Sequence, residues 1–362
     1  MKVLHIIDSL GLGGAQTVVK GIFEKQKDNK NIFLYSLRKR EISLDIDHKN
    51  IFINNSNKKY SFAPIKELKE LIEKEKIDVL HCHLFKAQFF GWILKRKYFP
   101  KIKLILHEHG QIFQRNYYYN KFMNIAQKQT DLFLAVSKAT KEKLKDKAKI
   151  NPDKIKVLYN FVDLDKFNKK NIKIDINKEK EKLGIKKDEF VIGFAGRLIK
   201  RKGWREFIET SRILSKDNNF KFLIAGDGED KKKMLKLIKK YKLEDKTKFL
   251  GYQKNMVNFY ALLNCFVIPS HWEPMGLTEL EAQSCKCPII VSNVEGLNEV
   301  VKEKVNCLLF NPKDSKKLSK KILKIKENKK LKENLIKEGL KNTKQYSLVN
   351  YLKELKKVYL KV

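Results

Sequence analysis

Short apolar runs that alternate with amphipathic stretches set the tightest limit on how this chain folds. VLHII (3–7), IFLYSL (32–37), DVLHCH (78–83), KLILHEH (103–109) and DLFLAVS (131–137) are separated by segments of helical spacing. Runs of that length, flanked by helical patterns, predict parallel strands joined by crossover helices. The rhythm restarts after residue 188 with FVIGFAG (190–196), FKFLIAG (220–226), TKFLGY (247–252), CFVIPS (265–270), CPIIVS (287–292) and VNCLLF (305–310). Between the two sets lies a charged stretch, KKNIKIDINKEKEKLGIKKDE (169–189), without a strand pattern. A chain of 362 residues suits two cores better than one. The expected fold is therefore α/β, with two Rossmann-like, doubly wound parallel-sheet domains facing a cleft. Its divisions are 1–168, a linker at 169–188, a second domain at 189–345 and a last helix at 346–362.

Composition narrows the partners. A hydrophobic content of 42% fills such cores, while the net charge of +37 suggests an anionic partner. Lys far outnumbers Arg, the residue that reads bases bidentately, which argues against nucleic acid. Phosphorylated ligands and an acidic membrane surface remain. Cys82, Cys265, Cys285, Cys287 and Cys307 lack zinc spacing and are expected to be reduced, buried thiols. Asp8 interrupts the first apolar run, and no stretch reaches the ~18 apolar residues of a membrane span. An intracellular protein is expected, cytoplasmic or peripheral on the cytoplasmic membrane face.

Three loops carry residues suited to chemistry. DSLGLGGAQTVV (8–19) places Gly13 and Gly14 between a strand and a helix, where backbone N–H groups approach an anion closely. Neither a G-x-G-x-x-G nor a Walker pattern is present, and a plain tight turn explains this stretch equally well. FAGRLIKRKGW (194–204) clusters Arg197, Lys200, Arg201 and Lys202 at the carboxyl edge of a parallel strand, where cations neutralise a departing diphosphate. PSHWEPMGLTELEAQS (269–284) puts Glu273 in a loop and predicts a helix from about Gly276. Helical spacing groups Leu277, Leu280, Glu281 and Ser284 on an inward face and turns Glu279 away. An inward Glu281 needs a hydrogen-bonding partner. The N–H groups of Gly276, Leu277 and Thr278 suit a phosphate, with Glu281 facing ribose hydroxyls and Glu273 a sugar; a structural, salt-bridged glutamate is the alternative. His81, His83, His107 and His109 follow strands of the first half, and Gly110 leaves His109 at a strand's carboxyl end. No H-x-x-x-H or carboxylate cluster argues for metal, and no D-x-D pair stands where a nucleotide-sugar enzyme would hold one, so no metal and no cofactor are expected.

Together, GGAQ (13–16), HEHG (107–110), SKAT (137–140), YNFVD (159–163), GRLIKRKG (196–203), AGDGE (225–229) and Glu273-x7-Glu281 resemble the family 4 retaining glycosyltransferases of the GT-B fold. The resemblance spans nearly the whole chain. It implies that Arg197 and Lys202 bind the donor diphosphate, that Glu273 and Glu281 hold the sugar and the ribose, and that His109 lies beside the transferred sugar. It also places the Gly13–Gly14 loop near donor phosphate and acceptor, and sends the last helix back to the first domain. On this basis the catalytic residues are His109, Glu273, Arg197 and Lys202. The donor contacts are Gly13, Gly14, Arg197, Lys202, Tyr252, Glu273, Met275, Gly276, Leu277, Thr278 and Glu281. Gln16 stands where the family often has Glu or Asp, and Pro274 and Met275 replace Gly and Phe of the common Glu-Gly-Phe-Gly turn.

The implied partners are a nucleotide-sugar donor, UDP-linked by preference, and a glycan or lipid-linked saccharide acceptor of lipopolysaccharide or capsule type. The transferred group is a hexose or N-acetylhexosamine. No placeable carboxylate nucleophile argues for front-face transfer with retention. FFGWILKRKYFPKIK (89–103) and IFQRNYYYNKFM (112–123) mix aromatic and basic residues, which suits an anionic leaflet or, equally, a core with exposed lysines. The competing functions are a nucleotide-sugar epimerase or phosphorylase on the same scaffold, and a non-catalytic protein that binds membrane or nucleic acid through its charge. A dehydrogenase is disfavoured by the missing dinucleotide fingerprint.

Overall fold

A computed structural model describes residues 1–40, 44–54, 62–114, 117–217 and 219–362. The chain divides into two compact units, Met1–Phe161 with Leu348–Val362, and Val162–Ser347. In the first unit the strands are β1 (Val3–Ile7), β2 (Ile32–Ser36), β3 (Ile51–Ile53), β4 (Val79–His83), β5 (Lys103–Glu108), β6 (Leu132–Ala135) and β7 (Ile155–Val157). They form one parallel sheet in the order β3-β2-β1-β4-β5-β6-β7. The second unit holds β8 (Phe190–Ala195), β9 (Phe220–Ala225), β10 (Thr247–Gly251), β11 (Cys265–Ile268), β12 (Ile289–Ser292) and β13 (Leu308–Phe310). Their order is β10-β9-β8-β11-β12-β13, again all parallel.

Both sheets are doubly wound as the alternating pattern predicts. β3 and β7 escape that pattern because IFI is flanked by polar residues and IKV is broken by Lys156, whereas the equally short β13 sits in the longer run VNCLLF. The strand period of two sorts the first sheet into unlike faces. Leu4, Ile6, Leu80, Cys82, Leu104 and Leu106 join the apolar core with Phe90 and Leu94 of the helix Phe85–Lys97. His5, His81, His83 and His107 occupy the other face, where Phe23 and Tyr359 contact their rings. In the second unit Phe194, Phe207 and Phe222 lie in one core cluster with Ile290 and Ile322.

The stretch read as a linker holds a short helix, Ile176–Lys182, and lies within the second unit. Asp175 caps that helix by accepting hydrogen bonds from the N–H groups of Asn177 and Lys178. Charged throughout, it gives no apolar period to read. SKAT is likewise a cap: Ser137 accepts from the Thr140 N–H at the start of the helix Lys138–Ala148. All five cysteines are free and buried.

The aromatics of 89–103 are largely core. Phe90 is buried, and Phe89, Trp92 and Phe99 pack on the first unit's cluster. Lys95 pairs with Asp131, and Arg96 stacks on Trp92. Tyr117 and Tyr118 are exposed by 68% and 76%, so they are the aromatics of the two stretches that face outward most fully. Arg115 lies outside the described residues. Among the described residues no helix is long and apolar enough to cross a membrane.

Candidate functional site

In a doubly wound sheet, ligands bind beyond the carboxyl ends of the strands where the order reverses. In the second sheet that point lies between β8 and β11. The loop after β8 carries Arg197 and Lys202, and the loop after β11 carries Glu273 and Gly276. Topology thus brings together two segments about 70 residues apart in sequence.

Glycine sets how closely these loops approach. Gly203 has φ +71°, and a Cβ there would lie 1.8 Å from the Pro269 carbonyl oxygen, so the β8 loop packs directly on the end of the β11 segment. Gly226, at φ +135°, would strike the Gly196 carbonyl oxygen at 2.0 Å, which couples the AGDGE turn to the residue preceding Arg197. Leu198 N–H donates to the Asp227 carbonyl at 2.9 Å and seals that contact. The motif glycines therefore register three loops against one another.

Glu273 is 4% exposed and is met by two hydrogen-bond donors and a further ion pair. Lys202 Nζ and Ser270 Oγ donate to Oε1, the latter at 3.0 Å, and Arg201 pairs with Oε2 at 3.2 Å. Burial raises the Glu273 pKa, but the charges of Lys202 and Arg201 outweigh it and hold the carboxyl below its ordinary value. Arg201 also stacks on Trp272, 4.4 Å from the ring centroid. Sequence reasoning grouped Arg201 with the cations but gave it no partner; its contact is with the very carboxylate that Lys202 holds. Arg197 is exposed in the same loop.

The helix expected near Gly276 begins at Thr278 and ends at Ser284. Glu281 is half-buried, and Tyr260 OH donates to its Oε2 at 3.0 Å. Burial pushes its pKa up to about 6, against the hydrogen bond from Tyr260 and the charge of Lys166. Glu279 corrects the helical-face reading. It is fully buried instead of facing outward, and neither carboxyl oxygen has a hydrogen-bond partner among the described residues. The reason is that this short helix is covered on two sides, by β12 and by the helix Lys329–Gln345, so a single inward stripe does not describe it. A Cβ on Gly276 would lie 2.1 Å from Glu279 Oε2, so that glycine makes room for the buried carboxyl. Burial lifts the Glu279 pKa to about 8, with repulsion from Glu273 adding to it. At neutral pH it is mostly the neutral acid.

Of the remaining candidates in this unit, Met275 is 5% exposed, and Leu277 is the residue preceding the helix. Tyr252 follows β10 and is half exposed, beside Gln253, whose amide donates to the Leu250 carbonyl at 2.6 Å.

In the first unit Gly13 precedes the helix Gly14–Lys25, and a Cβ at Gly14 would meet nothing within 4 Å. Packing therefore does not require glycine there. HEHG divides its labour by alternation. Buried Glu108 accepts from the N–H groups of Gly110 at 2.6 Å and Ile112 at 3.2 Å, and from Tyr119 OH, which fixes the turn after β5. His109 stands on the other side, its ring 4.1 Å from that of His107 between centroids. Glu108 was missed because its role is local to the backbone it caps.

Two family models match in succession: "Glycosyltransferase Family 4" over residues 13–166 and "Glycosyl transferases group 1" over residues 175–342. The chain is 30% identical over 310 residues to the UDP-Gal:alpha-D-GlcNAc-diphosphoundecaprenol alpha-1,3-galactosyltransferase of Escherichia coli, covering 81% of this chain and 78% of that protein. It is 26% identical to the N-acetyl-alpha-D-glucosaminyl L-malate synthase of Bacillus anthracis, over 67% of this chain and 63% of that one. The crystal structure of Anabaena Alr3699/HepE in complex with UDP-glucose superposes with a TM-score of 0.86 at 20% identity, over the whole of both chains. At that identity the likeness shows the fold.

Proposed function

This chain belongs to the family 4 glycosyltransferases of the GT-B fold, and from that premise we propose that it transfers a hexose or N-acetylhexosamine from a UDP-sugar to a lipid-linked saccharide with retention of configuration. The observation that carries the proposal is the meeting of Lys202 and Arg201 with Glu273 beyond β8 and β11. The second unit, Val162–Ser347, is the donor-binding part and the first the acceptor-binding part.

Spare hydrogen-bonding directions support the contacts of Lys202, Glu273 and Glu281. Lys202 has three N–H donors and Glu273 takes one, so the ammonium still faces a diphosphate, assisted by Arg197 from the same loop. Glu273 offers about four acceptor directions. Lys202 and Ser270 take two, both at Oε1, while Arg201 pairs with Oε2 by charge. We assign a remaining direction at Oε2 to a sugar hydroxyl. Glu281 Oε2 is held by Tyr260, which leaves Oε1 to accept from the ribose. The N–H groups of Gly276, Leu277 and Thr278 are assigned to the phosphates, Met275 to the wall against the sugar and Tyr252 to the base. In the first unit we assign His109 to the transferred sugar and Gly13–Gly14 to donor phosphate or acceptor, where the open side of Gly14 leaves room for a ligand.

Retention by front-face attack is supported by the state of the carboxyls. A double displacement needs an ionised, uncommitted carboxylate. Glu279 is neutral and buried, Glu273 is held by Lys202, Ser270 and the charge of Arg201, and Glu281 is bound to Tyr260. The leaving diphosphate is instead stabilised by Arg197 and Lys202 as its charge develops.

The relatives differ in acceptor, a diphosphoundecaprenol-linked sugar in one name and L-malate in the other. The +37 charge suits either anion, and it is the exposed aromatics Tyr117 and Tyr118 that favour a lipid-linked acceptor at an acidic leaflet. Incubation with UDP-galactose or UDP-N-acetylglucosamine and a polyprenyl-diphosphate-linked sugar is expected to give a product with the donor's anomeric configuration. An inverted product overturns the mechanism, and sugar conversion without acceptor favours an epimerase. Flotation with anionic vesicles at low salt is expected to carry the protein upward. Recovery in the bottom fraction removes the membrane reading.

A further inference from the structure

Five of the seven histidines gather on one side of the first sheet: His5 midway along β1, His81 and His83 in the middle and at the end of β4, and His107 in β5 with His109 directly after it. Strand register sets His5 beside His81 and His83 beside His107. Their ring nitrogens and one hydroxyl from the helix Leu348–Lys361 form an unbranched chain. His109 Nε2 meets His83 Nδ1 at 2.9 Å, His83 Nε2 meets His5 Nδ1 at 3.0 Å, and His5 Nε2 meets Tyr359 OH at 3.0 Å. Tyr359 OH in turn meets His81 Nδ1 at 2.8 Å, and His81 Nε2 meets His107 Nδ1 at 3.1 Å. His107 Nε2 has no partner among the described residues.

Such a chain has two states in which every link is made and the Tyr359 hydrogen is used. A neutral imidazole carries one N–H and one bare nitrogen, so one link fixes the others in each run of rings. Tyr359 passes the direction on by accepting from one neighbour and donating to the other; accepting from both would leave its buried O–H unpaired. Burial keeps the rings neutral, pushing the pKa of His5 and His109 down to about 3 and depressing those of His81, His83 and His107 as well. In one state every ring is protonated at Nδ1 and the chain ends on a bare His107 Nε2. In the other every ring is protonated at Nε2, and His107 buries an N–H with no acceptor. An orphaned buried N–H is rarer in native proteins than an unfilled acceptor, which selects the first state.

We propose that His83, oriented by His5 and Tyr359 behind it, is a positioning residue that holds His109 in its Nδ1–H tautomer, so that His109 offers a hydrogen-bond donor to the bound substrate. This rests on the reading above that His109 lies beside the transferred sugar. The consequence is directional: an N–H at that point binds a sugar or leaving-group oxygen and does not accept a proton from the acceptor hydroxyl.

The test is long-range proton–nitrogen correlation NMR of the 15N-histidine-labelled full chain near pH 7.5, with each signal assigned by single His→Gln variants. All five rings are expected in the Nδ1–H form. A ring in the Nε2–H form, or a mixture, overturns the chain. Tyr359→Phe is expected to scramble only His81 and His107, since either direction of that severed pair leaves one buried N–H unpaired. Scrambling at His83 and His109, or none at His81 and His107, contradicts the account. His83→Phe is expected to move His109 toward the Nε2–H form that imidazole prefers in water, and to lower kcat about tenfold to a hundredfold with donor KM within about threefold. An unchanged His109 tautomer removes the positioning role. These spectra need no donor, so a wrong functional reading shows separately, as absence of transfer by the native protein.

Discussion

The double variant Arg197→Ala/Lys202→Ala is expected to turn over a UDP-sugar about a thousandfold more slowly than the native protein, with acceptor KM changed by less than about threefold. The size follows from where the charge appears. Cleavage of the sugar–phosphate bond leaves negative charge on the diphosphate, and cations fixed in advance stabilise that charge more than they stabilise the intact donor. Single removals of such groups typically cost about 10²–10³ in kcat, and two groups serving one phosphate do not act additively. Lys202→Ala also deprives Glu273 of one of its two cations, although Arg201 remains at 3.2 Å. The melting temperature of the double variant therefore accompanies its kinetics. A folded variant with near-native turnover refutes the assignment of these two cations.

Glu279→Gln has the second large effect, on stability instead of rate. The folded protein holds this carboxyl at about 8, above the ordinary value of 4.5. A raised carboxyl pKa means that the fold prefers the protonated form. Its stability contribution is fully present below pH 4.5 and is lost as pH rises through 8. Glutamine keeps the shape and cannot ionise. The native protein and the variant should thus be similar in stability near pH 4.5 and diverge steadily above it, with the variant more stable by up to about 5 kcal/mol past pH 8. Denaturant melts of both proteins across that range check this. Parallel curves would mean that Glu279 does not ionise out of a buried, unpartnered site. Because both proteins share Glu108, Glu281 and the other perturbed carboxyls, their difference isolates this residue.

Much of the fold is legible in the sequence, for a definite reason. Parallel strands buried on both faces are near-continuous apolar runs, and eleven of the strands coincide with runs such as VLHII and FVIGFA. What periodicity carries poorly is what lies at edges or between layers. β3 is flanked by polar residues, β7 is broken by Lys156, and the helix Ile176–Lys182 has no apolar face. Glu279 was misread because a helical wheel assumes one buried side, whereas here a strand and a helix cover the segment from two. The histidines show the opposite case. Their alternation put His107 and His109 on one face, but only the register of β1, β4 and β5 reveals that five rings and Tyr359 touch. Partners supplied by distant segments, such as Tyr260 for Glu281, leave no local trace in the chain.

The central claim, that the loops after β8 and β11 hold a nucleoside diphosphate, is tested most directly by thermal unfolding of the intact protein with UDP, GDP and ADP. A ligand at about a hundredfold its Kd stabilises the native state by about 2.7 kcal/mol, a shift of several degrees. The account predicts that UDP gives the largest shift and that Glu281→Ala and Lys202→Ala each remove most of it. No shift with any of the three nucleotides, or an undiminished UDP shift in both variants, contradicts it.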